Sequence, residues 1–256
     1  MAIVQARMGS TRLPGKVLLN LEGKTVLEHV VRRIEASEHV DDVVVATTIS
    51  KADLRIVELC AHLGISIYCG SESDVLDRYY QAAKLFKANN ILRITSDCPV
   101  IDARIIDEVI SLHLKTNADY TSNTLRETYP DGQDIEVFTF ASLKTAWNNA
   151  KLASEREHVT PYIRNNPEFF KYSSLESKED LSQKRWTLDN AEDLDFLRLV
   201  YKYLYNKNQL FGMADILSLI IEKPEIEQIN QHIIRNEGYL KSLKEDKTLN
   251  LDNIEE

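Results

Sequence analysis

Four short apolar runs alternate with segments that carry apolar residues at helical spacing, and this order leaves the first half of the chain few ways to fold. The runs are Ile3-Val4, Asp42–Thr47, Ile65–Tyr68 and Ile91–Thr95. Asp42-Val43-Val44-Val45-Ala46-Thr47 is continuous rather than alternating, the pattern of a strand covered on both faces. The segments between predict helices over 25–37, from the Ser50/Asp53 N-cap spacing to Leu63, over 75–83 behind Asp74, and over 103–115. Gly64 is a good helix stop. A β-α-β-α-β-α-β-α order implies an α/β fold, with a mostly parallel central sheet and helices on both faces.

The second half is less regular. Asp119–Ser122 and the alternating Asp134–Phe138 read as strands, with a turn at Tyr129–Gly132 between them. Helices are expected over 140–150 and 155–165, and a short strand over 185–188. From about residue 190 the pattern is helical, over 191–205, 213–222 and 225–245. The 256 residues fit one domain spanning 1–243 with a helical C-terminal part, followed by a polar tail, 244–256, expected to be frayed.

Ligands of open α/β sheets sit beyond the carboxyl ends of the strands, where the strand order reverses. The first strand runs there into Gln5–Lys16, which holds three cations (Arg7, Arg12, Lys16), Gly9, Gly15, Ser10 and Thr11. Such a loop turns backbone N–H groups toward an anion and neutralises it. Neither the Walker A spacing nor G-x-G-x-x-G is present, and a solvated surface turn is the alternative. If the first and fourth strands are neighbours, Asp97 faces this loop. Arg7, Arg12 and Lys16 can then hold the outer phosphates of a nucleoside triphosphate, while the Asp97 carboxylate holds Mg²⁺ against them. A turn residue before Pro99 is the bland reading of Asp97. Asp189, ahead of Asn190-Ala191-Glu192-Asp193, reads by itself as a helix cap.

The net charge of −9 and the lack of a long basic block argue against a general nucleic-acid binder. Cys60, Cys69 and Cys98 have neither metal-ligand nor disulfide spacing, which suits a reduced, cytoplasmic setting. No apolar run approaches the roughly 18 residues of a membrane span.

Residues Ile3–Lys16 resemble the signature loop, P-A-R-x-x-S-x-R-x-P-G-K, of the cytidylyltransferases that activate 3-deoxy-manno-octulosonate and sialic acids. The Gln5–Ser10 form is similar to the SpsF-type branch, of spore-coat polysaccharide biosynthesis. Gly70–Tyr80, Thr95–Pro99, Asp119–Asn123, Tyr129–Val137 and Arg156–Tyr162 extend the likeness over most of the chain.

The resemblance implies a Rossmann-like nucleotide-diphospho-sugar transferase fold and transfer of CMP from CTP to a sugar, an acidic one, with release of pyrophosphate. It implies that Gln5, Ala6, Arg7, Met8, Gly9, Ser10, Arg12 and Lys16 bind CTP. Base and ribose contacts fall on Gly70, Ser71, Asp74, Val75 and Arg78. Mg²⁺ falls on Asp97 and Asp189, which reverses the capping reading of Asp189. Arg7, Arg12, Lys16 and Asp97 become the catalytic candidates. Gln5 stands where that family has proline, and the Asp131–Glu136 and Arg156–His158 motifs have no clear counterpart in the octulosonate enzymes, so the sugar does not carry over.

Acceptor candidates are Asn123, Asp131, Asp134, Glu136, Arg156 and His158, with a turn and a salt-bridged helix start as the alternative. His158 is either a general base or structural. A glycosyltransferase and a non-catalytic nucleotide binder are the rival readings, and the apolar residues of 191–205 and 213–235 either pack inward or form a homodimer.

Overall fold

The structure, a computed structural model, describes residues 1–249. The first half follows the expected alternation: β1 (Ala2–Gln5), α1 (Val26–Glu35), β4 (Val43–Thr48), α2 (Leu54–Leu63), β5 (Ser66–Gly70), α3 (Val75–Leu85), β6 (Asn90–Thr95) and α4 (Ala103–Thr116). A small hairpin of β2 (Asn20–Leu21) and β3 (Lys24–Thr25) precedes α1. The second half adds β7 (Tyr120–Ser122), β8 (Glu136–Thr139), α5 (Phe140–Asn149), α6 (Ala153–His158), α7 (Pro161–Arg164) and β9 (Tyr172–Ser174). The helices α8 (Ala191–Leu204), α9 (Met213–Glu222), α10 (Pro224–Glu227) and α11 (Glu237–Lys244) follow.

Seven strands form one sheet in the order β5-β4-β1-β6-β8-β7-β9. The first four are parallel, and β8 lies antiparallel to both β6 and β7. Order reverses at β1, between β4 and β6. Gln5 pairs with Thr95 there, so the first loop and the Ser96–Pro99 turn leave the sheet side by side, which meets the condition on which Asp97 was expected to face the loop.

Alternate residues of β1 divide between two cores. Ala2 and Val4 join Val30, Ile34, Ile56 and Ile106 of α1, α2 and α4 on one face. Ile3 joins Leu76, Tyr79 and Leu143 of α3 and α5 on the other. Each fully buried Val, Leu or Ile contributes on the order of 2 kcal/mol, so the pleat fixes the register that places Gln5. A third cluster buries Phe196, Leu197, Val200 and Ile220 of α8 and α9 around Trp186 and Val100. Those helices thus pack mainly inward, although Ile221 is exposed.

Four expectations differ from the structure. The helix over 155–165 is broken at Val159, whose φ is +71°, because Pro161 has no N–H for a continuous helix and instead opens α7. The helix over 225–245 is two pieces: Asn230 is buried and donates from its side-chain amide to the Arg185 carbonyl, and Asn236 is left-handed. The strand over 185–188 reduces to a single bridge between Asp131 and Arg185. The Ser50/Asp53 cap does not form; Asp53 bonds elsewhere, as described below. Of the tail expected from 244, residues 246–249 run along 151–154, with Ala153 N donating to the Lys247 carbonyl and Leu249 N to that of Lys151. Residues 250–256 lie outside the described residues.

Candidate active site

The first loop is shaped by its own backbone. Met8 N–H donates to Asp53 Oδ1 at 2.7 Å, and the Met8 carbonyl accepts from Ser10 N and Gly15 N. Gly15, at φ +70°, makes the left-handed turn that sends Lys16 back over the sheet edge. Lys16 Nζ then donates to Asp97 Oδ2, Asp189 Oδ1 and the Leu188 carbonyl, each at 2.8 Å. Arg12 pairs with Asp189 at 3.0 Å and with Glu237 at 2.6 Å. Arg7 is exposed at the rim.

Burial works against charge at this centre, and the ion pairs win. Burial alone raises the Asp97 pKa, but Lys16 holds it down at about 2. Burial likewise lowers Lys16, yet Asp97 and Asp189 leave it raised. Two carboxylates therefore already grip one cation, the Lys16 ammonium, with oxygen donors at 2.8 Å. A hard divalent ion that keeps water and phosphate as its other ligands suits such a pair. No group of three or more His, Cys, Asp or Glu side chains able to hold a metal occurs among the described residues, so phosphate and water would have to complete the shell.

Asp189 does not cap α8. That work falls to Asp193, whose Oδ2 accepts from Asp189 N and Asn190 N at 2.9 Å. Arg185, 5 % exposed, forks onto both Asp193 oxygens and onto Asp131 Oδ2 at 2.9 Å. The Asp189 carboxylate is left facing the cleft.

The cleft over the sheet edge encloses about 1610 Å³. Gln5, Ala6, Arg7, Ser10, Arg12, Lys16, Asp74, Val75, Arg78, Asp97 and Asp189 all line it. Met8, Gly9, Gly70 and Ser71 do not. Gly70 serves packing: a Cβ there would come within 2.7 Å of the Tyr68 ring. Arg78 is 2 % exposed, and its Nε and Nη1 have no hydrogen-bond partner among the described residues. A buried guanidinium left unpaired beside a cleft is free to receive an acceptor atom from the cleft side.

On the far side Asp131, Asp134, Glu136 and His158 line the cleft. Burial and the charge of Asp134 lift the Asp131 pKa to about 7 despite Arg185 and Arg235. Burial, against Arg235 and with Glu136 and Glu127, lifts Asp134 to about 6. Burial also raises Glu136, but Arg93 and Arg164 bring it below its ordinary value. Burial pushes His158 down to about 4, so it is neutral at pH 7, with Nε2 2.9 Å from Ser242 Oγ.

Asn123 and Arg156 stand apart from the cleft. Asn123 donates to the Gln133 carbonyl and accepts from Ile135 N. Arg156 is locked onto Asp74 and the Trp147 carbonyl. Their part is to hold the hairpin before β8 and the start of α3. Sequence reasoning missed Arg93, Arg164, Arg185 and the segment 236–249, all at or beside the cleft. An arginine inside Ile91-Leu92-Arg93-Ile94 was a legible signal, since a strand interior keeps a charge only with a partner.

A family model described as "Cytidylyltransferase" matches residues 1–238. An uncharacterised protein of Methanocaldococcus jannaschii is 41% identical over 239 residues, 93% of this chain and 96% of its own. The spore coat polysaccharide biosynthesis protein SpsF of Bacillus subtilis is 31% identical over 229 residues, 87% of this chain and 94% of its own. A solved cytidylyltransferase structure from Leptospira borgpetersenii superposes with a TM-score of 0.85 at 36% identity, covering 91% of this chain and 98% of that one.

Proposed function

The chain belongs to the cytidylyltransferase family, and we propose from that premise that it activates an acidic sugar for surface-polysaccharide synthesis, transferring CMP from CTP and releasing pyrophosphate. The observation that carries this reading is the convergence of Lys16 and Arg12 on Asp97 and Asp189 at the carboxyl edge of the sheet. The cleft, about 1610 Å³, has room for a nucleotide and a sugar together, since small-ligand pockets usually enclose roughly 300–1,000 Å³.

In this reading the base and ribose lie along Asp74, Val75 and Arg78, and the triphosphate lies over the first loop. The sugar hydroxyl attacks the α-phosphorus. A new P–O bond forms while the bond to the bridging oxygen breaks, and pyrophosphate departs with that electron pair. Arg7, Arg12 and Lys16 hold the departing charge. Catalysis is then chiefly positioning and electrostatic stabilisation. Asp97 and Asp189 would hold Mg²⁺, which supplies charge neutralisation at the phosphates and acidifies a bound hydroxyl. Lys16 exchanges its carboxylate partners for phosphate oxygens as the nucleotide enters.

Asp131 and Asp134, which line the far side of the cleft paired with Arg185 and Arg235, are the proposed acceptors of the hydroxyl proton. Incubation with CTP, Mg²⁺ and a panel of sugar acids, followed by a pyrophosphate assay, tests the reading. Pyrophosphate with one sugar acid supports it. Turnover of a nucleotide sugar instead identifies a glycosyltransferase, and CTP binding with no turnover identifies a non-catalytic homologue.

A further inference from the structure

The C-terminal segment lays a wall across the cleft, from the first loop to α6. Glu237 reaches Arg12, Ser242 reaches Glu157 and His158, and Asp246 accepts from Ser154. Tyr239 lies one residue past the stretch that the family model matches. It packs edge-on against the His158 ring at 4.9 Å, and the Arg164 guanidinium lies over its face at 5.4 Å.

Glu136 carries one negative charge and is committed to Arg93, Tyr120 and Thr160. His158 is half-buried, packed against Tyr239 and hydrogen-bonded to Ser242 Oγ. Arg164 is the second cation, and its Nε is buried without a hydrogen-bond partner among the described residues. Arg93, Arg164 and Glu136 all line the cleft. A half-buried guanidinium held by an aromatic face keeps its in-plane donors for a planar or tetrahedral oxyanion.

We propose that Arg164, roofed by Tyr239, is a specificity-determining residue that receives the anionic substituent of the acceptor, a carboxylate or a phosphate. This rests on the sugar-activation reading above and adds the group that selects the sugar. Tyr239 sets the guanidinium plane and offers its ring edge to the sugar, so the segment past residue 238 shapes acceptor choice.

The test is steady-state pyrophosphate release from CTP by the full chain with three sets of acceptors: sugar acids, sugar phosphates, and neutral sugars of matching skeleton. Arg164→Gln is expected to raise the KM for the anionic acceptor about tenfold to a hundredfold, the scale of a lost charged hydrogen bond. The KM for CTP and the CTP-induced thermal shift should stay unchanged. Arg164→Lys should recover part of the loss, and Tyr239→Leu should raise the acceptor KM more than Tyr239→Phe. The set turned over, acids or phosphates, identifies the oxyanion. An unchanged acceptor KM in Arg164→Gln, or preference for a neutral sugar, overturns the inference while leaving nucleotidyl transfer in place. Absence of pyrophosphate from the unmodified protein with all three sets overturns the proposed function and this inference with it.

Discussion

Lys16 Nζ and Asp97 Oδ2 meet at 2.8 Å although 81 residues separate them. Parallel pairing of β1 with β6 makes the meeting, because Gln5 opposite Thr95 brings the two strand-end turns together. Asp97→Asn should lower nucleotidyl transfer by a hundredfold or more, on the order of one lost electrostatic contact at the reacting phosphate. Lys16 keeps Asp189 and the Leu188 carbonyl, so stability should fall by only about 1 kcal/mol. Pyrophosphate release and urea unfolding of the same preparation separate the two effects.

Arg156 and Asp74 make the opposite case. Arg156 is 2 % exposed and outside the cleft, yet it bonds both Asp74 oxygens, one of which also caps α3 by accepting from Asp77 N. Arg156→Ala leaves the buried Asp74 carboxylate without its cation, at a cost of about 3–5 kcal/mol. The urea midpoint should drop strongly, while the acceptor KM of the protein that remains folded should change little.

Buried His29 and half-buried His158 each add stability that is lost on the acid side, against the opposite trend of the raised Asp131 and Asp134 carboxylates. His29 and His158 both have folded pKa values of about 4, pushed down first by burial, against an ordinary 6.5. Their stabilisation is therefore complete above pH 6.5. It drains away as the pH falls toward 4, where the unfolded chain takes up protons that the folded one refuses. Each should contribute on the order of 2–3 kcal/mol across that window. Relative to the unmodified protein, the double variant His29→Gln/His158→Gln should lose less unfolding free energy as the pH falls from 6.5 to 4, with the Asp131 and Asp134 contribution left behind, as read by urea titrations at several pH values.

Gly132 turns the chain at φ +99° against the strand-like bridge of Asp131 to Arg185. A Cβ there would lie 2.7 Å from Thr187 N and from the Trp186 carbonyl carbon, both backbone atoms that do not yield. Gly132→Ala should cost about 2 kcal/mol or more. It should also loosen the 185–189 segment, seen as faster amide exchange at Trp186 and Leu188 than in the unmodified protein.

The parallel half of the sheet was legible because β-branched runs such as Val43-Val44-Val45 and helical spacing in 26–34 describe local physics. Lys16 and Asp97 were legible because they follow strand ends that meet once β1 and β6 are neighbours, whereas Asp189, which by itself reads as a helix cap, was legible only through the family resemblance. The break at Val159 was hidden because the pattern of 153–164 is helical and only Pro161 contradicts it. Arg185 was hidden because its role is a four-way junction with Asp131, Asp189 and Asp193, which no local pattern encodes. The wall at 237–249 was hidden for a related reason: α11 buries no residue of its own and is held by polar contacts to distant segments.

Transfer of label from nucleotide to sugar tests the central claim most directly. With CTP labelled at the α-phosphate, the acceptor-dependent product should carry the label, and CTP labelled at the γ-phosphate should yield labelled pyrophosphate at the same rate. Asp97→Ala should abolish both signals while the protein remains folded. Full label transfer by Asp97→Ala, or label appearing only as inorganic phosphate, would contradict a site in which Gln5–Lys16 holds a leaving pyrophosphate against Asp97 and Asp189.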